Sequence, residues 1–217
     1  MKTTLSAELL VQEAKDFAQR ELRHRERSLF GVTDGKVVGA YLEHKFQDRL
    51  QENYSYVKGS SAKGIDFPKL GVDVKVTSIR QPQSSCPFKS ARQKVYGLGY
   101  SLLVFVYAKK DDRKSRTANL NINHVVFVEA SRTADFQTTT GILKILDNSG
   151  NADDIVAFMS ERFLPLDDIQ SRVLADEILR KRPEVGYLTI SNALEWRLQY
   201  SRVIEQAGKV AGVNKVV

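Results

Sequence analysis

Asp66 is followed seven positions later by Asp73-Val74-Lys75, inside the run Gly71-Val-Asp-Val-Lys-Val-Thr-Ser78. Side chains alternate faces along a β-strand, so Asp73 and Lys75 share one face and Val72, Val74 and Val76 the other. Asp66 precedes a Phe-Pro-Lys-Leu-Gly turn able to fold it back beside that strand. Two carboxylates and an ammonium at a strand end suit metal-assisted phosphodiester hydrolysis. Carboxylates hold Mg²⁺, a hard cation that keeps several of its waters. Such an ion polarises a phosphate and lowers the pKa of an attacking water, while a lysine orients that water or stabilises developing charge. The competing reading is a solvated strand face with an i, i+2 ion pair. The valines on the opposite face favour a core strand, and packed faces rarely carry Asp and Lys without a reason.

These residues need a frame, and the pattern predicts one. Residues 5–28 read as a charged helix, with Leu9, Leu10, Ala14, Phe17 and Leu22 near helical spacing and a cluster of Arg20, Arg23, Arg25 and Arg27. Thr33 or Asp34 can cap a second helix running to about Asn53. Its Val38, Leu42, Phe46 and Leu50 recur every four residues as a core stripe, and Glu43 lies at the edge of that stripe. Residues 54–64 read as a Gly/Ser-rich loop, followed by strands near 64–67 and 71–79. A loop carrying Pro82, Ser84, Ser85 and Pro87 then leads into a short helix over about 88–98. Tyr100–Tyr107 is an apolar run of strand length, as in a central strand. Lys109 to Asn119 reads as a basic connection, and His124–Val128 as the next strand. From about 152 the pattern turns helical, over 167–181 and 189–209, with Trp196 as a helical core residue. The sum is an α/β fold, a mixed β-sheet flanked by helices with a helical C-terminal part. A single domain spans 1–217, its catalytic core about 33–130 and its helical part about 150–217.

The spacing Asp66…Asp73-Val-Lys75 resembles the PD-(D/E)xK nuclease superfamily, home of most type II restriction endonucleases. The segments Asp34-Gly-Lys-Val-Val-Gly39-Ala-Tyr-Leu-Glu43, Gly59-Ser-Ser and Asp66–Lys75 are similar to the motif order of the methyl-directed mismatch-repair nicking endonucleases and their restriction-enzyme relatives. The resemblance covers roughly residues 33–80. It implies metal-binding acids Glu43, Asp66 and Asp73, a catalytic Lys75, and Mg²⁺ as cofactor with Mn²⁺ able to substitute. It implies double-stranded DNA as substrate, a homodimer on a palindromic site, and a cognate DNA methyltransferase in the same system. Three departures stand out. The strand acid is Asp73 where the mismatch-repair enzymes have Glu, the stretch between Glu43 and Asp66 is longer, and Ile65 stands where Pro precedes the first acid. A repair or recombination nuclease of the same fold and a catalytically silent DNA-binding domain are the alternative readings.

Composition agrees with a polyanionic partner. The chain has 217 residues and a formal charge of +7, and each Lys or Arg set against a phosphate releases a condensed counterion. Three stretches are candidates for DNA contact. One is Lys109, Lys110, Arg113, Lys114 and Arg116, read as a hairpin loop. Another is Gln81, Gln83, Ser84 and Ser85, whose amides and hydroxyls suit base edges. The third is Arg132–Thr140. Arg92, Gln93 and Lys94, on the helix after the catalytic strand, are candidates to support the site or touch the scissile phosphate. One cysteine, Cys86, excludes an internal disulfide and a Cys-based zinc site, and is read as a bystander. There is no Gly-rich phosphate loop followed by Lys-Ser/Thr and no Gly-x-Ser-x-Gly elbow. No apolar run reaches transmembrane length and the N-terminus lacks a signal-peptide core, so the expectation is a cytoplasmic protein.

Overall fold

The computed structural model describes residues 2–59, 64–86, 89–191 and 196–217. In chain order the elements are β1 (Thr3–Thr4), α1 (Ala7–Glu21), α2 (Gly35–Asn53), β2 (Tyr54–Ser55), β3 (Val72–Ser78), β4 (Gln83–Cys86), α3 (Arg92–Tyr96), β5 (Ser101–Asp112), β6 (Thr117–Val128), α4 (Phe136–Asp147), α5 (Ala152–Glu161), α6 (Asp168–Arg180), β7 (Thr189–Ile190), β8 (Trp196–Gln199), α7 (Ser201–Gln206) and β9 (Val213–Lys215). Asp34 caps α2, its carboxylate accepting from the Lys36 backbone N–H at 2.8 Å.

The main sheet has the order β3-β5-β6-β9, with β3 parallel to β5 and the other pairs antiparallel. It is a mixed sheet flanked by helices, as its alternation of helical and strand patterns implies. One face packs on α1 and α2, where Phe17, Phe46 and Phe105 meet at ring-centroid separations of 5.1–5.9 Å. The α2 stripe of Val38, Leu42, Phe46 and Leu50 is wholly buried there. The other face carries Leu102, Val104 and Val106 against a smaller antiparallel sheet, β4-β8-β7. A third apolar cluster, with Val95, Ile142, Ile155, Met159, Leu174 and Ile178, binds α3 to α6.

Several boundaries differ from the sequence reading. The first helix stops at Glu21 instead of 28, because Glu26 leaves it to pair with Ala118 through two backbone hydrogen bonds of 2.7 and 2.8 Å. The strand expected over 64–67 is only a bridge between Phe67 and Val72. Gln83–Cys86, read as loop, is β4: its pairing with β8 overrides a loop-like composition. The helix expected over 189–209 is instead β7, β8 and the short α7. Arg197 and Gln199 are exposed while Leu198 and Tyr200 are buried, a period of two that belongs to a strand. Trp196 therefore lies on β8, and its side chain is outside the described positions, as are Ser60, Ser61 and Pro87. The hairpin strands are longer than expected, so Lys109 and Lys110 lie on β5 and only residues 113–116 form the turn. Arg132–Thr140 leads into α4, with Asp135 as its cap and Thr138 and Thr139 buried, so that stretch is largely internal.

Candidate active site

Because β3 is an edge strand, one row of its backbone groups faces away from β5. Val74 turns its N–H to that open edge, where it donates to Asp66 Oδ2 at 2.8 Å. The chain before the strand doubles back to allow this: Phe67 and Val72 exchange backbone hydrogen bonds of 3.0 and 3.3 Å. Gly59 holds the same turn from behind, its N–H donating to the Asp66 carbonyl at 2.7 Å. A Cβ at Gly59 would lie 1.8 Å from the Ile65 carbonyl oxygen, so only glycine permits the approach. Asp66 is thereby fixed beside β3 at the level of Val74, and the strand's alternation brings Asp73 and Lys75 up on the adjoining face.

Asp73 and Lys75 form an ion pair, Oδ2 to Nζ 2.8 Å, on a nearly closed face: their side chains are 5% and 20% exposed. Asp73 Oδ2 is closed off from solvent, with the Lys75 ammonium against it. Burial pushes the Asp73 carboxyl up, to about 7, against the pull of Lys75 and with a further push from Asp66. For Lys75, burial pulls the ammonium down, but Asp73 outweighs it and the net shift is upward. The lysine thus stays charged, suited to stabilising or orienting and not to accepting a proton. Thr77, next on this face, ties the strand to β4 by accepting from Gln83 N–H at 2.9 Å.

Glu43 stands on α2, half buried, and its carboxyl is raised first by burial and then by the Asp66 charge. The link between the two acids is a residue that the sequence reading missed. Gln47, 5% exposed, points its amide Nε2 at Glu43 Oε1 (3.4 Å) and at Asp66 Oδ1 (3.3 Å). Its backbone carbonyl accepts from the Tyr56 hydroxyl at 3.2 Å. The signal was present: Gln47 follows Glu43 by four residues on α2, one turn along the same edge. Among the described residues no three acidic or otherwise metal-ligating side chains converge on one point. Asp66, Asp73 and Lys75 come together, and Glu43 joins them through Gln47.

The other candidates lie elsewhere. Ser84 is taken up by the buried Tyr200 hydroxyl at 2.5 Å, while Gln81 and Ser85 are exposed and Gln83 half buried. Arg92 forms a forked pair with Glu177 on α6, and Gln93 and Lys94 are buried. Gln93 accepts from Lys89 N–H and donates to the Leu98 carbonyl, and Lys94 donates to the Ile190 carbonyl at 2.9 Å. Lys109 pairs with Asp111, whereas Arg113 and Lys114 are exposed at the turn. Asp73 is level with Leu102, so Lys109 and Lys110 lie about 25 Å further along β5. Cys86 is buried against the Tyr100 hydroxyl, 3.6 Å away, and burial pushes its thiol up, away from nucleophilic reactivity.

An acid–lysine edge strand in a mixed sheet, with a helix-borne acid alongside, is the frame of the restriction-endonuclease-like class. Comparison with known proteins narrows it. The family described as type II restriction enzyme NspV matches residues 4–215. The chain is 63% identical over 214 residues to type II restriction enzyme NspV of Nostoc sp. (strain ATCC 29411 / PCC 7524), an alignment covering 99% of this chain and 97% of that protein. No solved structure matches. The chain belongs to the type II restriction enzyme NspV family and is a site-specific deoxyribonuclease.

Proposed function

We propose that this chain cuts double-stranded DNA by Mg²⁺-dependent phosphodiester hydrolysis, with Asp66, Asp73 and Lys75 at the reacting phosphate and Glu43 in support. The observation that carries the reading is the buried Asp73 carboxylate, crowded by the Asp66 carboxylate and met by the Lys75 ammonium at 2.8 Å. Crowded carboxylates are relieved by a divalent cation, and Mg²⁺ needs only one or two of them because waters and substrate oxygens complete its shell. The residues therefore fit the ion, with Asp66 and Asp73 as holders. When bound, the ion supplies an activated water and charge neutralisation at the phosphate. The protein does the rest. Lys75, kept charged by Asp73, stabilises negative charge as it grows on the phosphate or orients the attacking water. The Val74 N–H and the Gln47 amide aim the Asp66 carboxylate, and the β3 edge leaves room for a polyanion alongside. The enzyme works as a homodimer on a palindromic site, since protein two-fold symmetry then matches site symmetry. A methyltransferase of the same specificity protects the host's own sites.

The test is cleavage of a plasmid carrying sites for the enzyme. Asp73→Ala and Lys75→Ala should abolish cutting while specific DNA binding, followed in Ca²⁺, persists. Lys75→Arg should not rescue, because a planar fork does not replace a compact ammonium. Near wild-type cutting by Asp73→Ala would overturn the assignment.

A further inference from the structure

Among the described residues the three most exposed large apolar side chains are Phe163, Ile169 and Val173, at 82, 78 and 61%. They lie within eleven positions, on α6 and the turn before it. Ile169 and Val173 are four apart, one above the other on the helix face opposite its buried Leu174, Ala175 and Ile178. The same two side chains line a groove of about 430 Å³ between α6 and the Lys89–Arg92 turn. An apolar stripe this concentrated marks an interaction surface.

The charges around it indicate what covers it. Asp167 and Asp168 stand at the first turn of α6 and Arg180 at the last, with Arg172 and Asp176 between. Set antiparallel to a copy of itself, about a two-fold axis level with Leu174, the helix brings Arg172 opposite Asp176 of the second copy on both sides of the axis. Each acidic first turn then approaches the basic last turn of the other helix, and the opposed helix dipoles add to the match. In the single chain Arg172 pairs with Asp153 and, at 3.9 Å, with Asp176, yet Arg172 and Asp176 stay 54% and 50% exposed. Residue i facing j while j faces i is the signature of an isologous contact.

We propose that the exposed face of α6 is the surface on which a second copy of this chain docks, antiparallel about a two-fold axis. The proposal rests on the homodimer reading above and locates it. The helix is roughly 20 Å long, so a helix pair alone falls short of the ~800 Å² per partner of a stable interface. The adjoining groove and Phe163 extend the contact.

Sedimentation equilibrium of the full chain tests it, with three preparations. Wild type should be a dimer at micromolar concentration. Ile169→Glu/Val173→Glu should be a monomer with unchanged circular dichroism. Arg172→Asp and Asp176→Arg, each alone, place like charges across the axis and should weaken self-association at least tenfold. Mixed in equal amounts they place opposite charges at both contacts, and a heterodimer should form. That recovery cannot arise within one chain, and it decides the matter even if the double glutamate variant fails to fold. Dimers unaffected by every change would mean that another face is used and would overturn the α6 assignment alone. A wild type that is monomeric throughout would remove the homodimer reading itself. Neither result would touch the catalytic assignment, which the Asp73 variants test separately.

Discussion

Asp73→Asn should make the metal-free protein more stable while destroying its activity. Asp73 is 3% exposed, and burial raises its carboxyl to about 7 from an ordinary 3.8, even with Lys75 pulling the other way. The sign follows from linkage. An acid whose folded pKa lies above its unfolded value leaves stability intact below the unfolded value, and stability is lost as pH rises through the folded one. At about 1.36 kcal/mol per unit, the full cost above pH 7 is on the order of 4 kcal/mol. Asparagine has nearly the same volume and does not ionise, so it removes that cost. The attraction of Lys75 is already contained in that raised value, so nothing further is subtracted for it. The gain is about 4 kcal/mol, or ~8–16 °C in Tm for a chain of this length. Thermal melts in EDTA at pH 8, 6 and 4.5 read it directly, and the gain should shrink as pH falls and vanish near pH 4. A variant melting below wild type at pH 8, or a gain indifferent to pH, would refute the view of Asp73 as a strained functional carboxylate.

Glu43→Gln should lower cleavage and raise the Mg²⁺ concentration for half-maximal rate with little change in stability, whereas the exposed Glu52 should tolerate the same change; equal mild effects would make Glu43 a surface residue. Gln47→Leu removes the donor shared by Glu43 and Asp66 and should shift half-saturating Mg²⁺ by 10–100-fold, the range typical of residues that orient ligands; unaltered metal dependence in a folded variant would show that the amide only packs. EDTA should stop cutting, Mn²⁺ should restore it, and Ca²⁺ should support binding with little cutting; full activity in EDTA would exclude the proposed chemistry. Glu26 is held down to about 2, chiefly by the Tyr41 hydroxyl at 2.6 Å, so it stabilises the fold above its ordinary pKa and loses that contribution as pH falls from about 4.5 towards 2. Tyr41→Phe should therefore narrow the gap between wild-type and variant melting temperatures as the buffer is taken from pH 7 to pH 3; a gap constant with pH would deny that coupling.

What the sequence disclosed, and what it hid, divide along a physical line. The α2 stripe was legible because four apolar residues at four-residue spacing have one solution, a helix buried on that side. Asp73-Val-Lys75 was legible because strand alternation is local. Asp66 was placed by a turn of known chemistry. The helix expected over 189–209 failed because β7 and β8 are held by β4, far away in sequence, and short strands take their conformation from their partners. β4 was hidden for the same reason, since Gln-Ser-Ser-Cys carries no strand preference of its own. Lys94 was read as a candidate to support the site or touch the scissile phosphate, yet it is buried with its ammonium on the Ile190 carbonyl, a contact spanning 96 positions. Gln47 was overlooked because a polar residue beside an apolar stripe ordinarily faces water, and only the approach of Asp66 gives its amide two partners.

The edge position of β3 reconciles two demands that otherwise conflict. A carboxylate is costly to bury, and a central strand flanked on both sides would offer Asp73 no route to a cation or a phosphate. An exposed strand would solvate the acid, but it would lose the low dielectric that strengthens its pairing with Lys75. On an edge strand the side chains stay packed against β5 and the smaller sheet while the backbone row is open. Here that row is used to hold Asp66 through Val74. An unpaired edge is also an invitation to aggregate, and the returning segment through Phe67 covers part of it. The same few residues thus protect part of the edge, place the second acid and leave the remaining backbone row uncovered. That is why the 66–75 segment carries so much of the proposed site in so little sequence.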